Sequence, residues 1–363
     1  MMGHQKLVSD IAARIRQQKR ISKEEALELH RRADINLLGA LAHEIRLKKH
    51  PDRFVTYVID RNINYTNVCI SGCKFCAFFK APGHSQGYVL SKEELAKKIL
   101  ETKKLGGTQI LLQGGLHPDL SLEFYEDMLS FIKKEFGIHC HAFSPPEIVH
   151  FAKISSNSIK EVLQRLKLAG LDSIPGGGAE ILVDRVRRQT SPNKATSDEW
   201  LDVMSTAHGL GIKTTATMMF GHIETDEERI EHLDKLRSLQ DATNGFTAFI
   251  PWPFQPGNTE IKCKPATSHE YLKVLAISRI YLDNFPNIQA SWVTQGPKIA
   301  QISLFYGAND FGSTMIEENV VAAAGVSHRL SENKIRQLIT QAGFVPKQRL
   351  MDYTLADERD QSV

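Results

Sequence analysis

Three of the five cysteines in this 363-residue chain lie in one short segment, at Cys69, Cys73 and Cys76. Their C-x3-C-x2-C spacing suits three thiolate ligands of a cubane iron–sulfur cluster, which normally takes four cysteines. With three ligands, one iron keeps an open position that can chelate a small molecule, as a catalytic zinc centre keeps one position free. The spacing therefore predicts a reactive [4Fe-4S] cluster, and the fold has to place a binding cavity beside it.

Other roles for these cysteines fit the sequence less well. A zinc knuckle or a ferredoxin-type cluster uses a fourth ligand near the loop, whereas Cys140 and Cys263 are isolated. Disulfide frameworks are typical of short secreted chains with many cysteines. A non-catalytic iron–sulfur or zinc module is the alternative outside enzyme function.

Composition narrows the classes of partner. Hydrophobic residues make up 42% and charged residues 24%, as in soluble globular proteins, and the net charge of +3 is too small to indicate a nucleic-acid surface. No apolar run approaches a membrane span, and the N-terminal segment lacks the apolar centre of a signal peptide. We expect a small-molecule substrate, no nucleic-acid or membrane partner and, because the cluster is oxygen-sensitive and the thiols are free, a cytoplasmic location.

Segments typical of strands alternate with segments typical of helices along most of the chain. The first strand is predicted over 55–59, shortly before the cysteine loop, and the others over 108–113, 138–144, 171–174, 212–220, 246–250, 288–292 and near 300–305. Such alternation indicates a parallel sheet with crossover helices, and eight units predict a closed (β/α)8 TIM-type α/β barrel. A six-unit barrel is the alternative if the last two strands are misassigned.

The two ends of the chain differ from this pattern. Residues 1–50 are predicted to be an N-terminal helical extension of two helices, with a capping box at Ser22 and Glu25, covering the bottom or one side of the barrel. Residues 51–327 would form the barrel. Residues 328–363 are predicted to be a short C-terminal tail with a helix over 331–341 and a mobile polar end.

Candidate site residues follow the predicted strands, where parallel barrels build their active sites. Gly114 and Gly115 end the second strand, and glycine permits close backbone approach, although glycines also end strands as simple turns. Ser144 follows the third strand and equally suits a helix cap. Glu180 follows three glycines after the fourth strand and is otherwise a surface carboxylate at a helix start.

Two further groups lie after later strands. Trp252 and Gln255 belong to a loop with three prolines in six residues, which should be stiff. Asn309 and Asp310 lie in a turn after the last predicted strand, where an Asx turn is the simpler explanation. The histidines are scattered, and His139 and His141 on the third strand face one side, where packed or solvated histidines are the simpler interpretation.

The cysteine spacing, with Phe75 before the last cysteine, resembles the radical S-adenosylmethionine (SAM) superfamily. Longer stretches resemble its branch of menaquinone (futalosine-pathway) and deazaflavin enzymes, and within it most closely the cyclic dehypoxanthinylfutalosine synthase family. The stretches span about residues 55 to 325, and the most specific is the Trp-Pro-Phe-Gln-Pro run at 252–256. The others are 61–67, 113–118, 144–147, 176–180, 215–222 and 307–312.

The resemblance implies a reaction. SAM binds the open iron, and its cleavage gives a 5′-deoxyadenosyl radical that takes the ribose C4′ hydrogen of dehypoxanthinylfutalosine. The carbon radical then closes a spiro ring onto the aromatic ring of the substrate. Aminofutalosine synthase and deazaflavin-cofactor (FO) synthase are the alternatives within the branch. The reaction also needs an external one-electron donor such as flavodoxin or ferredoxin.

The resemblance also implies residue roles. Phe75 would lie against the adenine of SAM, the Gly114–Gly115 backbone would approach its amino group, and Glu180 would bind its ribose hydroxyls or ammonium. Many relatives have a glutamate after the glycines, where this chain has Leu116 and His117. Ser144 is the remaining SAM candidate. Trp252, Gln255 and Asn309 are predicted to bind substrate, and Asp310 to be catalytic.

Overall fold

Parallel strands arranged in a ring form the centre of the molecule, seen in a computed structural model that describes residues 2–326 and 328–356. The strands are β1 (Phe54–Val58), β2 (Asp60–Asn64), β3 (Gln109–Gln113), β4 (His139–Ala142), β5 (Ser173–Ile174), β6 (Lys213–Phe220), β7 (Phe246–Pro253), β8 (Asn287–Ile288), β9 (Asp310–Ser313) and β10 (Val345–Gln348).

Helices surround these strands and connect most of them. They are α1 (Met2–Arg16), α2 (Lys23–Arg32), α3 (Ile35–Lys49), α4 (Lys92–Lys104), α5 (Leu122–Phe136), α6 (Pro145–Ser155), α7 (Ile159–Ala169), α8 (Asp184–Thr190), α9 (Ser197–Gly209), α10 (Asp226–Thr243), α11 (Ser268–Tyr281), α12 (Trp292–Ser303), α13 (Val320–Ala323) and α14 (Glu332–Gln341). Capping boxes at Ser91, Thr196 and Thr225 begin α4, α9 and α10.

The strand order closes the ring. Strands β2 to β8 form one parallel sheet in chain order. A parallel bridge between Gln289 and Asp310 joins β8 to β9, and β9 pairs with β1, which is separated from β2 by Ile59 alone. The predicted TIM-type α/β fold is therefore confirmed. In this fold the carboxyl ends of the strands carry the active site, which places the cysteine loop after β2 at that face.

The last part of the ring differs from the sequence prediction. The segment 300–305, predicted as a strand, contains the end of α12, and β8 is shorter than predicted because α12 already begins at Trp292. A short apolar run such as 299–304 does not distinguish a buried strand from a buried helix. The strand that completes the ring, β9, has the sequence Asp-Phe-Gly-Ser and carries little strand signal.

The N-terminal extension contains three helices instead of two. Ser22 caps α2 with the predicted capping box, and Asp34 caps α3 and divides the second predicted helix. Helices α2 and α3 pack against α10 and α11, so the extension covers one side of the barrel. Arg20 strengthens this contact through ion pairs with Asp241 and Asp283.

The C-terminal tail is not only helical. After α14, strand β10 pairs in parallel with β1, and the buried Arg349 follows it directly. The polar end predicted to be mobile lies mostly in 357–363, outside the described residues. Within residues 2–326 and 328–356, no helix is both long and apolar enough to cross a membrane.

Candidate active site

The cysteine loop after β2 is held in place by backbone hydrogen bonds from three directions. The N–H of Cys69 donates to the carbonyl of Lys80, at 2.9 Å within the loop. The N–H of Ile70 donates to Leu116 beyond β3, at 3.0 Å, and that of Lys74 donates to Thr190 at the end of α8, at 2.8 Å. These backbone hydrogen bonds therefore give the loop a defined shape.

Hydrogen-bond donors already point at the sulfur atoms. The N–H groups of Ser71 and Leu116 lie 3.4 and 3.3 Å from Cys69 Sγ, and Ser71 Oγ lies 3.0 Å from Cys73 Sγ. Burial raises the pKa of Cys73 to about 11 and also raises that of Cys76. Such donors tune cluster sulfurs, and iron keeps its thiolate ligands deprotonated, so the three residues fit a [4Fe-4S] cluster.

A single metal ion fits less well. In the described part of the chain, no group of three His, Cys, Asp or Glu side chains is arranged to hold one ion. A cubane with three protein ligands instead binds each thiolate to a different iron. Cys140 is fully buried and Cys263 donates to the carbonyl of Gly221, so neither joins the loop.

Beside the cysteines lies a cavity of about 260 Å³, which we call the outer cavity. It brings together residues that are far apart in the sequence and that the sequence analysis selected separately. They are Cys69, Cys73, Phe75, Cys76, Gly114, Gly115, Ser144, Glu180, Trp252 and Gln255. Their individual roles stay proposals, but their placement in one cavity is a property of the fold.

The two glycines after β3 allow close packing. A Cβ on Gly115 would lie 2.1 Å from the carbonyl oxygen of Val68, and one on Gly114 would lie 2.4 Å from the Tyr65 ring. The carboxylate of Glu147 accepts hydrogen bonds from the Gly114 N–H at 3.0 Å and from the Tyr65 hydroxyl at 2.7 Å. These glycines therefore seat the cysteine loop whether or not SAM is bound, and Ser144 combines its cavity position with capping α6.

Glu180 presents a carboxylate oxygen to the cavity. Its Oε1 accepts from Lys194 at 3.0 Å, whereas its buried Oε2 accepts no hydrogen bond from the described residues and lies 3.7 Å from Arg187 Nη1. Its φ of +41° is unusual for a non-glycine residue, and such strain clusters at functional sites. A buried carboxylate oxygen that lacks a hydrogen bond fits an ammonium or hydroxyl donor, both of which SAM carries.

Lys194 links Glu180 to Phe75. Burial opposes its charge, but Glu180 and Cys73 together raise the pKa of Lys194 to about 12, so it stays protonated. Its Nζ lies 5.2 Å from the centre of the Phe75 ring, within cation–π range. Phe75 therefore has a fixed position next to the cysteines.

A second cavity of about 290 Å³, the inner cavity, occupies the barrel interior below the first. Inward-facing side chains of several strands line it, including Asp60, Asn62, Gln109 and His141, with Ile250 on the apolar side. The two cavities share seven lining residues and are therefore continuous. The shared residues are Gln113, Gly177, Gly178, Glu180, Trp252, Val320 and Val321.

Two of the predicted site residues lie away from the cavities. Neither Asn309 nor Asp310 lines either cavity. The amide of Asn309 is used by Arg279, Asn287 and the N–H of Ile288, because β9 enters the ring near its base. Asp310 pairs with the buried Arg349 and accepts from the N–H of Gly312, so it acts only through Arg349, which does line the inner cavity. A direct hydrogen bond from either residue to substrate does not fit this geometry.

Several cavity residues were missed or undervalued in the sequence. Asp60 and Asn62 alternate along β2, which was the available signal that both face inward. Lys194, Glu318 and Arg349 carry no such signal, because each reaches the cavities from a loop or from the segment after β10. Gln255 lines the outer cavity only, with its amide donating to the carbonyl of Pro253.

Comparison with known proteins agrees with this arrangement. Residues 63–236 match the radical SAM superfamily, and residues 243–362 match the CofH/MqnC C-terminal region. The chain is 51% identical over 339 residues to the cyclic dehypoxanthine futalosine synthase of Halalkalibacterium halodurans, covering 93% of this chain and 92% of that one.

A second relative has another name. The chain is 44% identical over 321 residues to the 5-amino-6-(D-ribitylamino)uracil–L-tyrosine 4-hydroxyphenyl transferase of Methanopyrus kandleri, covering 86% of this chain and 87% of that one. In three dimensions, the FeFe-hydrogenase maturase HydG from Carboxydothermus hydrogenoformans shares the fold with a TM-score of 0.77, at 17% identity over 96% of this chain and 81% of that chain. The chain therefore belongs to the radical SAM enzymes, which use a [4Fe-4S] cluster and SAM, in the group that contains the cyclic dehypoxanthine futalosine synthases.

Proposed function

We propose that this enzyme removes the ribose C4′ hydrogen of dehypoxanthinylfutalosine and closes a spiro ring onto its aromatic ring, giving cyclic dehypoxanthinylfutalosine in menaquinone biosynthesis. The observation that carries the proposal is the 51% identity, across 93% of the chain, to a cyclic dehypoxanthine futalosine synthase. The two continuous cavities support it, because the substrate must lie directly beside SAM.

The outer cavity would prepare the radical. When bound, the reduced cluster supplies the electron that cleaves SAM to methionine and a 5′-deoxyadenosyl radical. The cysteine loop and the backbone at Gly114 and Gly115 would hold SAM, Glu180 Oε2 would accept from one of its donors, and Phe75 would pack against its adenine. These contacts are made before reaction, so they orient the reactive carbon at little further entropic cost.

The inner cavity would hold the substrate. Asn62 and Gln109 offer polar groups for ribose hydroxyls, and Leu111 and Ile250 offer apolar contact for the aromatic ring. Trp252 lines both cavities and so lies between the two reactants. A carbon radical formed at C4′ then adds to the ring within the same cavity, and loss of one electron and one proton restores aromaticity.

A short segment over the barrel mouth would exclude water. Val320 and Val321 of α13 line both cavities, and the Glu318 carboxylate accepts from the N–H groups of Val320, Val321 and Ala322 at 3.1, 2.7 and 3.2 Å. Asn258, in the loop after β7, donates to the carbonyl of Ala323 at 2.9 Å. These hydrogen bonds hold the segment in place, which suits a radical reaction that must be kept from solvent and from other hydrogen donors.

The experiment is isotope transfer. The reconstituted enzyme is incubated without oxygen with SAM, a reductant and dehypoxanthinylfutalosine deuterated at ribose C4′. We expect the deuterium in 5′-deoxyadenosine, together with a cyclised product that has lost two hydrogens. Unlabelled 5′-deoxyadenosine without a cyclised product contradicts the proposal. We further propose flavodoxin or ferredoxin as the electron donor, and either should replace the chemical reductant.

A second candidate rests on the 44% identity to the tyrosine 4-hydroxyphenyl transferase. In that case the enzyme would consume tyrosine together with 5-amino-6-(D-ribitylamino)uracil, the two compounds in that relative's name. Separate incubations with each substrate set, under identical conditions, distinguish the two reactions. Turnover of a chorismate-derived enol ether would instead indicate aminofutalosine synthase.

A further inference from the structure

Two histidines and a serine form a hydrogen-bonded line below the inner cavity. His141 lines the cavity, and its Nδ1 lies 2.7 Å from Ser173 Oγ on the neighbouring strand. The same hydroxyl lies 2.8 Å from Nε2 of His139, the first residue of β4. The line therefore runs from the cavity toward the end of the barrel opposite the cysteine loop.

The chemistry of the hydroxyl orders this line. A serine hydroxyl has one proton to donate, so it donates to one imidazole and accepts from the other. When His141 Nδ1–H donates to Ser173 and Ser173 donates to His139, the remaining nitrogen of His141, Nε2, carries a lone pair. Among the described residues nothing hydrogen-bonds to this Nε2, which is the ring nitrogen left for the cavity.

Burial differs along the line. His141 is 6% exposed and Ser173 2%, whereas His139 is half-buried. Burial, with smaller contributions from His139 and Arg349, holds the pKa of His141 well below its usual value, so its imidazole is neutral. The half-buried His139 is the more exposed end of this line.

The acidic side chains that line the inner cavity already have hydrogen-bond or ion-pair partners. Asp60 accepts from Ser313 and Gln109 through its two oxygens, and Glu318 caps α13. Glu180 lies at the junction with the outer cavity and pairs with Lys194. In the described part of the chain, His141 is therefore the cavity base that is connected to an exit path.

We propose that His141 is the base that takes the proton released when the aromatic ring re-forms, and that Ser173 and His139 carry that proton out through the bottom of the barrel. This inference rests on the proposed function, which requires removal of one proton from the closed cavity. Ser173 and His139 are positioning and relay groups that act through His141.

The step balances as follows. The cyclised radical loses its ring C–H proton to His141 Nε2, and its unpaired electron passes to a one-electron acceptor, the oxidised iron–sulfur centre left by SAM cleavage. His141 Nδ1–H then transfers its proton to Ser173 Oγ, whose own proton moves to His139 Nε2. His139 then gives up one proton at the more exposed end of the line. One proton enters the line, one leaves it, and the aromatic ring is restored.

The test separates initiation from product formation. In His141→Asn we expect deuterium from C4′ still to reach 5′-deoxyadenosine, while cyclised product per 5′-deoxyadenosine falls about 100-fold, the usual contribution of a general base. A cyclised isomer of the substrate should replace the product, because the trapped radical keeps its ring hydrogen and gains one electron from the reductant and one proton. Wild-type coupling in His141→Asn overturns the assignment of the base.

Ser173→Ala tests the relay with a smaller change. We expect product per 5′-deoxyadenosine to fall at least several-fold with cluster content unchanged, and Ser173→Thr, which keeps the hydroxyl, to restore it. A loss in His141→Asn combined with full coupling in Ser173→Ala overturns the relay and leaves the base. If the wild-type enzyme shows no label transfer, the proposed function fails, and this is distinct from either result.

His208 provides a matched control. Its ring also bridges two hydroxyls, Thr243 at 2.7 Å and Thr214 at 2.8 Å, and burial lowers its pKa to about 4, but it lines neither cavity. His208→Asn should therefore keep the wild-type ratio of product to 5′-deoxyadenosine. An equal loss in His208→Asn and His141→Asn would show that disturbing any such histidine suffices, which overturns the proposal.

Discussion

The outer and inner cavities are continuous, yet they are built in different ways. The outer cavity depends on a loop whose ligands are close in sequence and whose shape is set by backbone hydrogen bonds and glycine packing. The inner cavity depends on side chains such as Asp60, His141 and Arg349, which reach it from different parts of the chain. The part expected to make the radical is therefore local in sequence, whereas the part expected to choose the substrate is dispersed.

The largest expected effect is at the cluster. Cys69→Ala, Cys73→Ala and Cys76→Ala should each abolish the brown iron–sulfur absorbance and all 5′-deoxyadenosine formation, because each removes one of three ligands. Cys140→Ala and Cys263→Ala should leave both unchanged. Loss of the cluster in Cys140→Ala with retention in Cys69→Ala would contradict the local character of this region.

Gly115→Ala tests the packing that seats the loop. A methyl group there would overlap the backbone of Val68 at 2.1 Å, and relieving the overlap should cost about 3 kcal/mol. That lowers the ratio of molecules with an intact loop to molecules with a disrupted loop about 100-fold. Iron content and 5′-deoxyadenosine yield measure it. Gly209→Ala, where nothing lies within 4 Å of the added Cβ, is the matched control and should behave as wild type.

Trp252 lies where the two cavities meet, so replacing it tests whether the cluster and product formation can be affected separately. Trp252→Ala should leave the cluster intact while product per 5′-deoxyadenosine falls about tenfold or more, because the substrate is no longer held against the reactive carbon. Trp252→Phe should recover part of the coupling. A parallel fall in cluster content would show instead that the aromatic ring supports the cysteine loop.

Asp310→Asn should have the smallest effect on turnover. It removes the charge partner of the buried Arg349, and breaking such a pair costs about 3 kcal/mol of unfolding free energy. We expect ring closure to be impaired a few-fold with the cluster retained. Asp127→Asn breaks an exposed pair with Lys92 and should cost less than about 1 kcal/mol. Wild-type stability and ring closure in Asp310→Asn would contradict a role for the Asp310–Arg349 pair in supporting the inner cavity.

Much of the fold could be predicted because its signals are local. Each capping box, such as those at Ser91 and Thr225, involves residues only three positions apart, and a strand such as β6 is one contiguous run. Strand β9, which completes the ring, could not be found in this way. Its Asp-Phe-Gly-Ser sequence is stabilised as a strand by its neighbours β1 and β8 rather than by its own propensity.

The sequence by itself determined the class of chemistry and predicted the cluster ligands, because three thiolates at fixed spacing are a property of one loop. Only the tertiary structure decided which other side chains meet them. It showed that Asn309 and Asp310 line neither cavity, whereas Lys194 lines the outer cavity and Arg349 the inner one. It also aligned His141, Ser173 and His139. The physical reason is that strand pairing in a closed ring brings distant residues into contact, which no local pattern records.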